Sequence, residues 1–366
     1  MIKVTLTNEM LRRIGKIDEH RFSLKIIDIP PITRNKLKKN SKKKSSYASN
    51  RIEGNPLSEI QANDAMERDD HKHLLKPEQE MRNYFLALNL LEEKLLQREP
   101  FSKELILEIQ ALVEKGAPKE KIGLRGAMPP GVLFAVYDSG SNAPEYIPPE
   151  YSEIPGLLDE LVEYVRTTDD HPLIVAAVVH YQLVTIHPFE DGNGRTARLM
   201  SGYILDYYGY DFLGVGSLEE YFAYDSDEYY ASLQMGLPVL YYSGRENPPH
   251  PEIWVNYFLR MVELYAAKVC ELSLASMEDH IAGSVSHLKI REKELLLYLL
   301  EKRIYEFKPI EVSKKMDVSN KTIINRCANL ALNGFIVPNL VKERVLSYSL
   351  SDYAKQNSKQ IIELIR

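Results

Sequence analysis

Apolar residues return every three or four positions along most of this chain, so the reading is mainly helical. Residues 1–24 begin as a short strand or helix start and continue as an amphipathic helix. Residues 57–96, 102–115 and 154–166 carry further helical patterns. The stretch HPLIVAAVVHYQLVTI, 171–186, is apolar on nearly every face and predicts a central buried helix. Another helix is expected from about Asn193 to Tyr208, and one more over 254–272. The period changes in GVLFAVYDSGSNAPEYIPP, 131–149, where alternating apolar residues flank Asp-Ser-Gly-Ser-Asn; that is a β-hairpin signal. Residues 30–46, PPITRNKLKKNSKKKSS, are strongly basic without apolar periodicity and read as an exposed loop or linker. The following SSYASNRIEGNPLS, 45–58, predicts a short helix stopped by Gly54, Asn55 and Pro56.

The C-terminal part has its own pattern. IREKELLLYLLEKR predicts a helix, and PIEVSKKM a short one with Pro309 at its start. SNKTIINRCANLALNG has Ser319 as N-cap, apolar Ile323, Ile324, Cys327 and Leu330, and Gly334 as its stop. FIVPNLVKERVLSYSL then gives two strands around a polar turn. Three helices and a hairpin are the order of a winged helix-turn-helix. A chain of 366 residues exceeds one core. The expected division is an N-terminal helical region over 1–100, a core over 101–243, a connecting helix over 252–285 and a winged helix domain over 286–366. GRENPPHP, 244–251, is the breaker-rich boundary before the connecting helix.

Composition narrows the class. The chain is 44% hydrophobic and 27% charged, an ordinary soluble balance. No apolar run is long enough for a bilayer, and residues 1–24 lack the features of a secretory signal. Cys270 and Cys327 stand far apart, outside any metal-ligand spacing, and read as buried small hydrophobes in a reducing compartment. The expectation is a cytoplasmic protein with no membrane partner. Net charge is −6, yet residues 287–366 hold 15 Lys and Arg against 9 Asp and Glu, a net +6. A basic C-terminal module could meet DNA, although +6 is also an ordinary solvated surface.

The candidate chemistry is concentrated in IHPFEDGNGRTARLM, 186–200. Pro188 ends the buried helix just after His187. Asp191-Gly192-Asn193-Gly194 forms a tight turn, and Arg195 opens the next helix. Amides of such a turn, meeting a helix N-terminus, favour an anion. Arg195 and Arg198, three apart, present two guanidinium forks on one side, which suits more than one phosphate. Asp191 would repel phosphate unless a cation lay between, so Mg²⁺ is implied. A rim histidine suits the proton of a hydroxyl. Together these parts describe phosphoryl or nucleotidyl transfer to a hydroxyl. Blander readings exist for each fragment: a plain turn, a calcium loop, a core histidine. Arg195 stands where the third calcium oxygen ligand should be, and no Gly-Lys-Ser/Thr of a P-loop is present.

HPFEDGNGRTAR resembles the signature of the Fic (filamentation induced by cAMP) family, His-Pro-Phe-x-Asp/Glu-Gly-Asn-Gly-Arg-x-x-Arg, at every specified position. The resemblance implies a mainly α Fic fold with a small β-hairpin flap. It implies transfer of AMP from ATP to a Ser, Thr or Tyr hydroxyl of a protein, with Mg²⁺ as cofactor. His187 would be the general base, with Asn193 and Arg195 completing the catalytic set. Asp191 would ligate the metal, and Phe189 would seat the loop. Gly192, Asn193, Gly194, Arg195 and Arg198 would hold the phosphates. His180 reads as a buried, hydrogen-bonded structural histidine. The hairpin 132–147 matches the flap that could hold an extended target segment by strand addition. In SLEEYFAYDSDEYYASLQ, 217–234, Tyr229 and Tyr230 match the tyrosines beside adenine, whereas Asp225 stands where many members have Asn. Upstream, Ser49-x-x-x-Glu53-Gly54 matches the inhibitory pattern of the N-terminally inhibited class, in the short helix about 45–56. A Glu53 carboxylate on Arg198 would block the γ-phosphate grip. Some relatives also remove AMP, and homodimers are common among them.

Two other functions compete. One is a DNA-binding regulator whose catalytic part is a sensor or inert, acting through Lys321, Asn325, Arg326 and Asn329 on the polar face of the predicted recognition helix. The other is transfer of another nucleotide or of phosphocholine.

Overall fold

The structure is a computed structural model. It describes residues 1–366 except 26, 28, 30, 69–73, 138–143, 238–240, 243–247 and 342. Five helices come first: α1 (Asn8–Leu24), α2 (Pro31–Ile52), α3 (Glu59–Glu67), α4 (Lys76–Leu96) and α5 (Lys103–Val113). Two short antiparallel strands follow, β1 (Val136–Tyr137) and β2 (Pro144–Ile147). They fall within the expected hairpin, whose turn at 138–143 lies outside the described residues. Then come α6 (Ile154–Thr167), α7 (Pro172–Ile186), α8 (Asn193–Tyr207), α9 (Glu219–Tyr224), α10 (Ser226–Gln234) and β3 (Tyr241–Tyr242). β3 pairs parallel with β2, an addition that the sequence pattern does not announce. The long helix α11 covers Pro251–Ser286. The remainder is α12 (Ile290–Glu301), β4 (Glu306–Phe307), α13 (Pro309–Lys315), α14 (Asn320–Leu332), β5 (Ile336–Val341), β6 (Arg344–Leu350), α15 (Asp352–Gln356) and α16 (Ser358–Ile365). Among the described residues no helix is long and apolar enough to cross a membrane.

The chain forms two compact units. The first comprises Met1–Ile27 and Pro31–Ser273, and the second Asp28–Pro30 and Leu274–Arg366. In the first, α7 packs against α8 and is buried along nearly its whole length. Its apolar residues on every side allow no solvent face. Trp254 of α11 is fully buried and donates its indole N–H to the Ala177 carbonyl of α7 at 2.8 Å. In the second unit, α14 starts where expected: Ser319 accepts from the Thr322 amide at 3.2 Å, and Ile323, Cys327 and Leu330 are buried. Strands β4, β6 and β5 make a small antiparallel sheet in that order. Cys270 and Cys327 are free and buried.

One expectation is overturned. From Pro31 onward the basic stretch expected as a loop over 30–46 is helical, because α2 runs unbroken from Pro31 to Ile52. Its packed face is made of small hydroxyl residues, so it shows no apolar period. Ser41, Ser45, Ser46, Ala48 and Ser49 are all buried. The Ser41 and Ser46 hydroxyls donate back to the Leu37 and Lys42 carbonyls at 2.8 and 2.7 Å, so they need no water. The lysines pair with neighbouring helices: Lys38 with Glu92 at 3.0 Å, Lys43 with Glu67 at 2.6 Å and Lys44 with Glu220 at 3.2 Å. Tertiary contact thus overrides a composition that looks like a linker.

Candidate active site

α7 stops at His187, whose backbone is left-handed with φ 49°. The residue before a proline is disfavoured in the right-handed helical region, so the chain turns sharply there. Phe189 is buried, and its amide and carbonyl are clasped by the Asn193 side chain at 3.0 and 2.9 Å. That double bond fixes the loop between α7 and α8. Gly192 has φ +81°, a conformation that glycine adopts without strain. A Cβ there would also lie 2.8 Å from the Glu114 carboxylate. Thr196 makes the first helical bond, to the Gly192 carbonyl at 2.9 Å, so the amides of Asn193, Gly194 and Arg195 come before the ladder begins. Such amides attract anions.

The His187 imidazole rests in this bend. Its Nδ1 is 3.3 Å from the Val184 carbonyl, which favours a proton on Nδ1 and leaves Nε2 as the acceptor. Burial holds its pKa down at about 4, with Arg125 pushing the same way against the Val184 carbonyl. The ring is therefore neutral near pH 7. Phe134, just before β1, lies with its ring centroid 5.8 Å away. Arg125 stacks over Phe134 at 4.7 Å and donates to the His187 carbonyl at 2.8 Å.

Three ion pairs line the start of α8. Arg195 is buried and donates to Glu114 at 2.7 Å and to Asp191 at 3.2 Å. Its Nε and Nη1 are buried without a partner among the described residues, donors available to an anion. Asp191 accepts from Lys121 at 2.9 Å and from the Gly192 amide at 2.8 Å. Burial raises the Asp191 pKa, but Lys121 and Arg195 outweigh it and hold the carboxyl below its ordinary value. Among the described residues no group of three His, Cys, Asp or Glu could hold a metal by itself. The donor set therefore fits Mg²⁺ only as one carboxylate shared with phosphate oxygens.

Arg198, one turn further along α8, is met by the end of α2. Its Nε donates to the Ser49 hydroxyl at 2.8 Å, and one terminal nitrogen to the Ser49 carbonyl at 3.1 Å and to Glu53 at 2.6 Å. The Arg198 side chain is 1% exposed and that of Glu53 34%. Burial works against the Arg198 charge, yet Glu53 raises its pKa above the usual arginine value. The Glu53 carboxylate also covers Gly194 so closely that a Cβ at that position would collide with it.

The other expected residues are placed as follows. His180 is fully buried, with Nε2 2.8 Å from the Tyr229 hydroxyl and Nδ1 3.2 Å from Ser201. Tyr229 is buried near Arg198, and Tyr230 is 46% exposed with its ring 5.0 Å from that of Tyr229. Asp225 accepts from the Glu228 amide at 2.9 Å and so caps α10. His187, Asp191, Asn193, Arg195, Arg198, Ser49 and Glu53 thus gather around one helix end. Sequence reasoning missed Glu114, Lys121 and Arg125. They carry no spacing signal, since each reaches the loop only through tertiary packing.

The description "Fic/DOC family" matches residues 100–205. A protein adenylyltransferase Fic of Drosophila mojavensis is 28% identical over 213 residues, covering 54% of this chain and 38% of that protein. Its Drosophila grimshawi counterpart is 28% identical over 212 residues, covering 54% and 40%. The chain therefore spans well under half the length of these relatives. A Fic family protein from Desulfovibrio desulfuricans G20 superposes with TM-score 0.59 at 19% identity, over 96% of this chain and 98% of that one. Fic-1 from C. elegans superposes with TM-score 0.56 at 23% identity, over 74% and 73%.

Proposed function

On the premise that this chain carries a Fic domain over residues 100–205, we propose that it is a protein adenylyltransferase held off by Glu53. The observation that carries the proposal is Glu53 on Arg198, 2.6 Å apart, over the N-terminus of α8. The reaction moves AMP from ATP to a protein hydroxyl. His187 Nε2 accepts the hydroxyl proton, the freed oxygen bonds to the α-phosphorus, and the bond to the β-phosphate oxygen breaks to release pyrophosphate. The amides of Asn193 and Gly194 and the open donors of Arg195 receive the phosphates. Asn193 keeps the loop in register through Phe189. Asp191 would hold Mg²⁺, which supplies charge neutralisation between the phosphates when bound. Tyr229 and Tyr230 are the candidate neighbours of adenine.

The inhibition is direct electrostatics. A charge-assisted hydrogen bond to Arg198 is worth about 1.5–3 kcal/mol and occupies the fork that would grip the γ-phosphate. The same carboxylate puts negative charge where phosphate must lie. Removing Glu53 leaves buried Arg198 to the neutral partners Ser49 and Tyr229, without a carboxylate, which favours an incoming anion. Glu53→Gly should raise self-modification with α-labelled ATP at least about tenfold, and adding His187→Ala should abolish it. Equal labelling in Glu53→Gly and the parent protein would remove the inhibitory role.

A second reading concerns residues 286–366 as a winged helix-turn-helix. Lys321 and Asn325 are exposed on α14 and Arg326 is half-buried, which suits a phosphate backbone. Asn329 donates to Glu292 at 2.6 Å and is withdrawn from that face. A gel shift with duplex DNA, lost in Lys321→Glu/Arg326→Glu, would support it, and no shift at low salt would reject it.

A further inference from the structure

A pocket of about 310 Å³ lies among α2, α4, α8 and α11, and of the residues given a nucleotide or inhibitory role only Arg198 borders it. One side is apolar: Leu88, Leu91 and Leu95 of α4, Leu199 and Leu205 of α8, and Tyr265 of α11. The charged groups around it are unevenly matched. Lys38 and Lys42 are both committed to Glu92, and Arg198 to Ser49 and Glu53. Glu219 accepts from the Tyr84 hydroxyl at 3.0 Å and from Ser217 at 3.2 Å. Asp206 and Asp211 also line the pocket, and neither side chain has a hydrogen bond or ion pair among the described residues. Both residues are exposed; the negative charges of Asp211 and Glu219 act on Asp206, with Lys38 opposing them. An arriving cation would offset that repulsion. Gly202 of α8 borders the same space, and a Cβ on it would meet nothing within 4 Å.

We propose that this pocket binds a small primary amine on an apolar or aromatic body, and that its occupancy strengthens the hold of α2 on Arg198. The apolar side receives the body, and Asp206 and Asp211 receive the ammonium. The coupling follows from the wall that α2 contributes. Ser41 and Ser45 line the pocket, Ser49 binds Arg198, and Glu53 follows. These residues recur every four positions, so they continue along one stripe to the carboxylate. A ligand touching Ser41 and Ser45 binds better with α2 seated than with α2 displaced, and by that difference stabilises Glu53 on Arg198. This second half rests on the proposed inhibitory role of Glu53; the binding site does not.

Calorimetric titration of the full chain with tryptamine tests the site, with indole-3-propionate as the same body bearing the opposite charge. Tryptamine should bind saturably and the acid should not. Asp206→Asn should weaken tryptamine at least about tenfold. Gly202→Leu, whose side chain enters the free space, should abolish binding while melting no lower than the parent protein. Absence of tryptamine binding, equal binding of the acid, or undiminished binding in Gly202→Leu would overturn the site. Glu53→Gly should bind tryptamine about threefold more weakly, by reciprocity of the coupling. An unchanged affinity there would overturn the coupling alone. Self-labelling of Glu53→Gly is measured separately, so failure of the adenylyltransferase reading would appear in that assay and not in the titration.

Discussion

Lys121 is paired with the Asp191 carboxylate, 2.9 Å away. In the proposed enzyme it competes with Mg²⁺ and keeps the carboxylate aligned when no nucleotide is present. Lys121→Met should tighten Mn²⁺ binding in the presence of ATP by about tenfold, read by electron paramagnetic resonance; an unchanged affinity would leave Lys121 as a surface partner only. His187 makes a second prediction. Its pKa lies near 4, below the ordinary histidine value of 6.5, because burial disfavours the imidazolium. Protonation removes the base, so activity of Glu53→Gly should stay level as pH falls through 6.5 and be lost only on approach to 4. A loss centred near 6.5 would mean that the imidazole is more solvated than the fold makes it. At this scale the sequence was informative where residues are adjacent. The turn 187–198 carries its own geometry, since Pro188, two glycines and a helix start are local signals. Glu114, Lys121 and Arg125 were illegible because they reach the loop from 62 to 81 positions away.

Among the elements, α7 and α8 could be read from apolar period and breakers, and α14 from its Ser319 cap. α2 could not. A helix that packs through Ser41, Ser45, Ser46 and Ala48 has no hydrophobic stripe, and its lysines imitate a linker until their partners on α3, α4 and α9 are known. The small residues let α2 approach closely, and that closeness aims Ser49 and Glu53 at Arg198. Ala48, 4% exposed, has little room to grow. Ala48→Leu should destabilise the first unit by about 1–3 kcal/mol through overpacking, seen as a lower melting temperature. It should also raise self-labelling, because α2 is displaced. Destabilisation without any gain in labelling would separate the seating of α2 from the restraint. β3 was missed for a related reason: two residues are too few for a period, and the strand exists only because β2 offers an edge.

Among the described residues the two large hydrophobic cores are built from different residues, one reaching from Ile2 to Cys270 and the other from Ile281 to Ile361, beside a small cluster of Ala62, Met66 and Met81. Two cores allow two stabilities. Leu299 is fully buried in the second. Leu299→Ala should cost about 2–5 kcal/mol there and leave self-labelling of Glu53→Gly unchanged. Loss of labelling would tie the chemistry to the second unit. The central claim is that the turn after His187, once Arg198 is released, delivers AMP to a hydroxyl. The most direct measurement is the intact mass of Glu53→Gly after incubation with ATP and Mg²⁺, beside Glu53→Gly/His187→Ala treated alike. The account predicts the gain of one or more AMP groups in the first and none in the second. No gain in the first, with ATP shown to be bound, would contradict it.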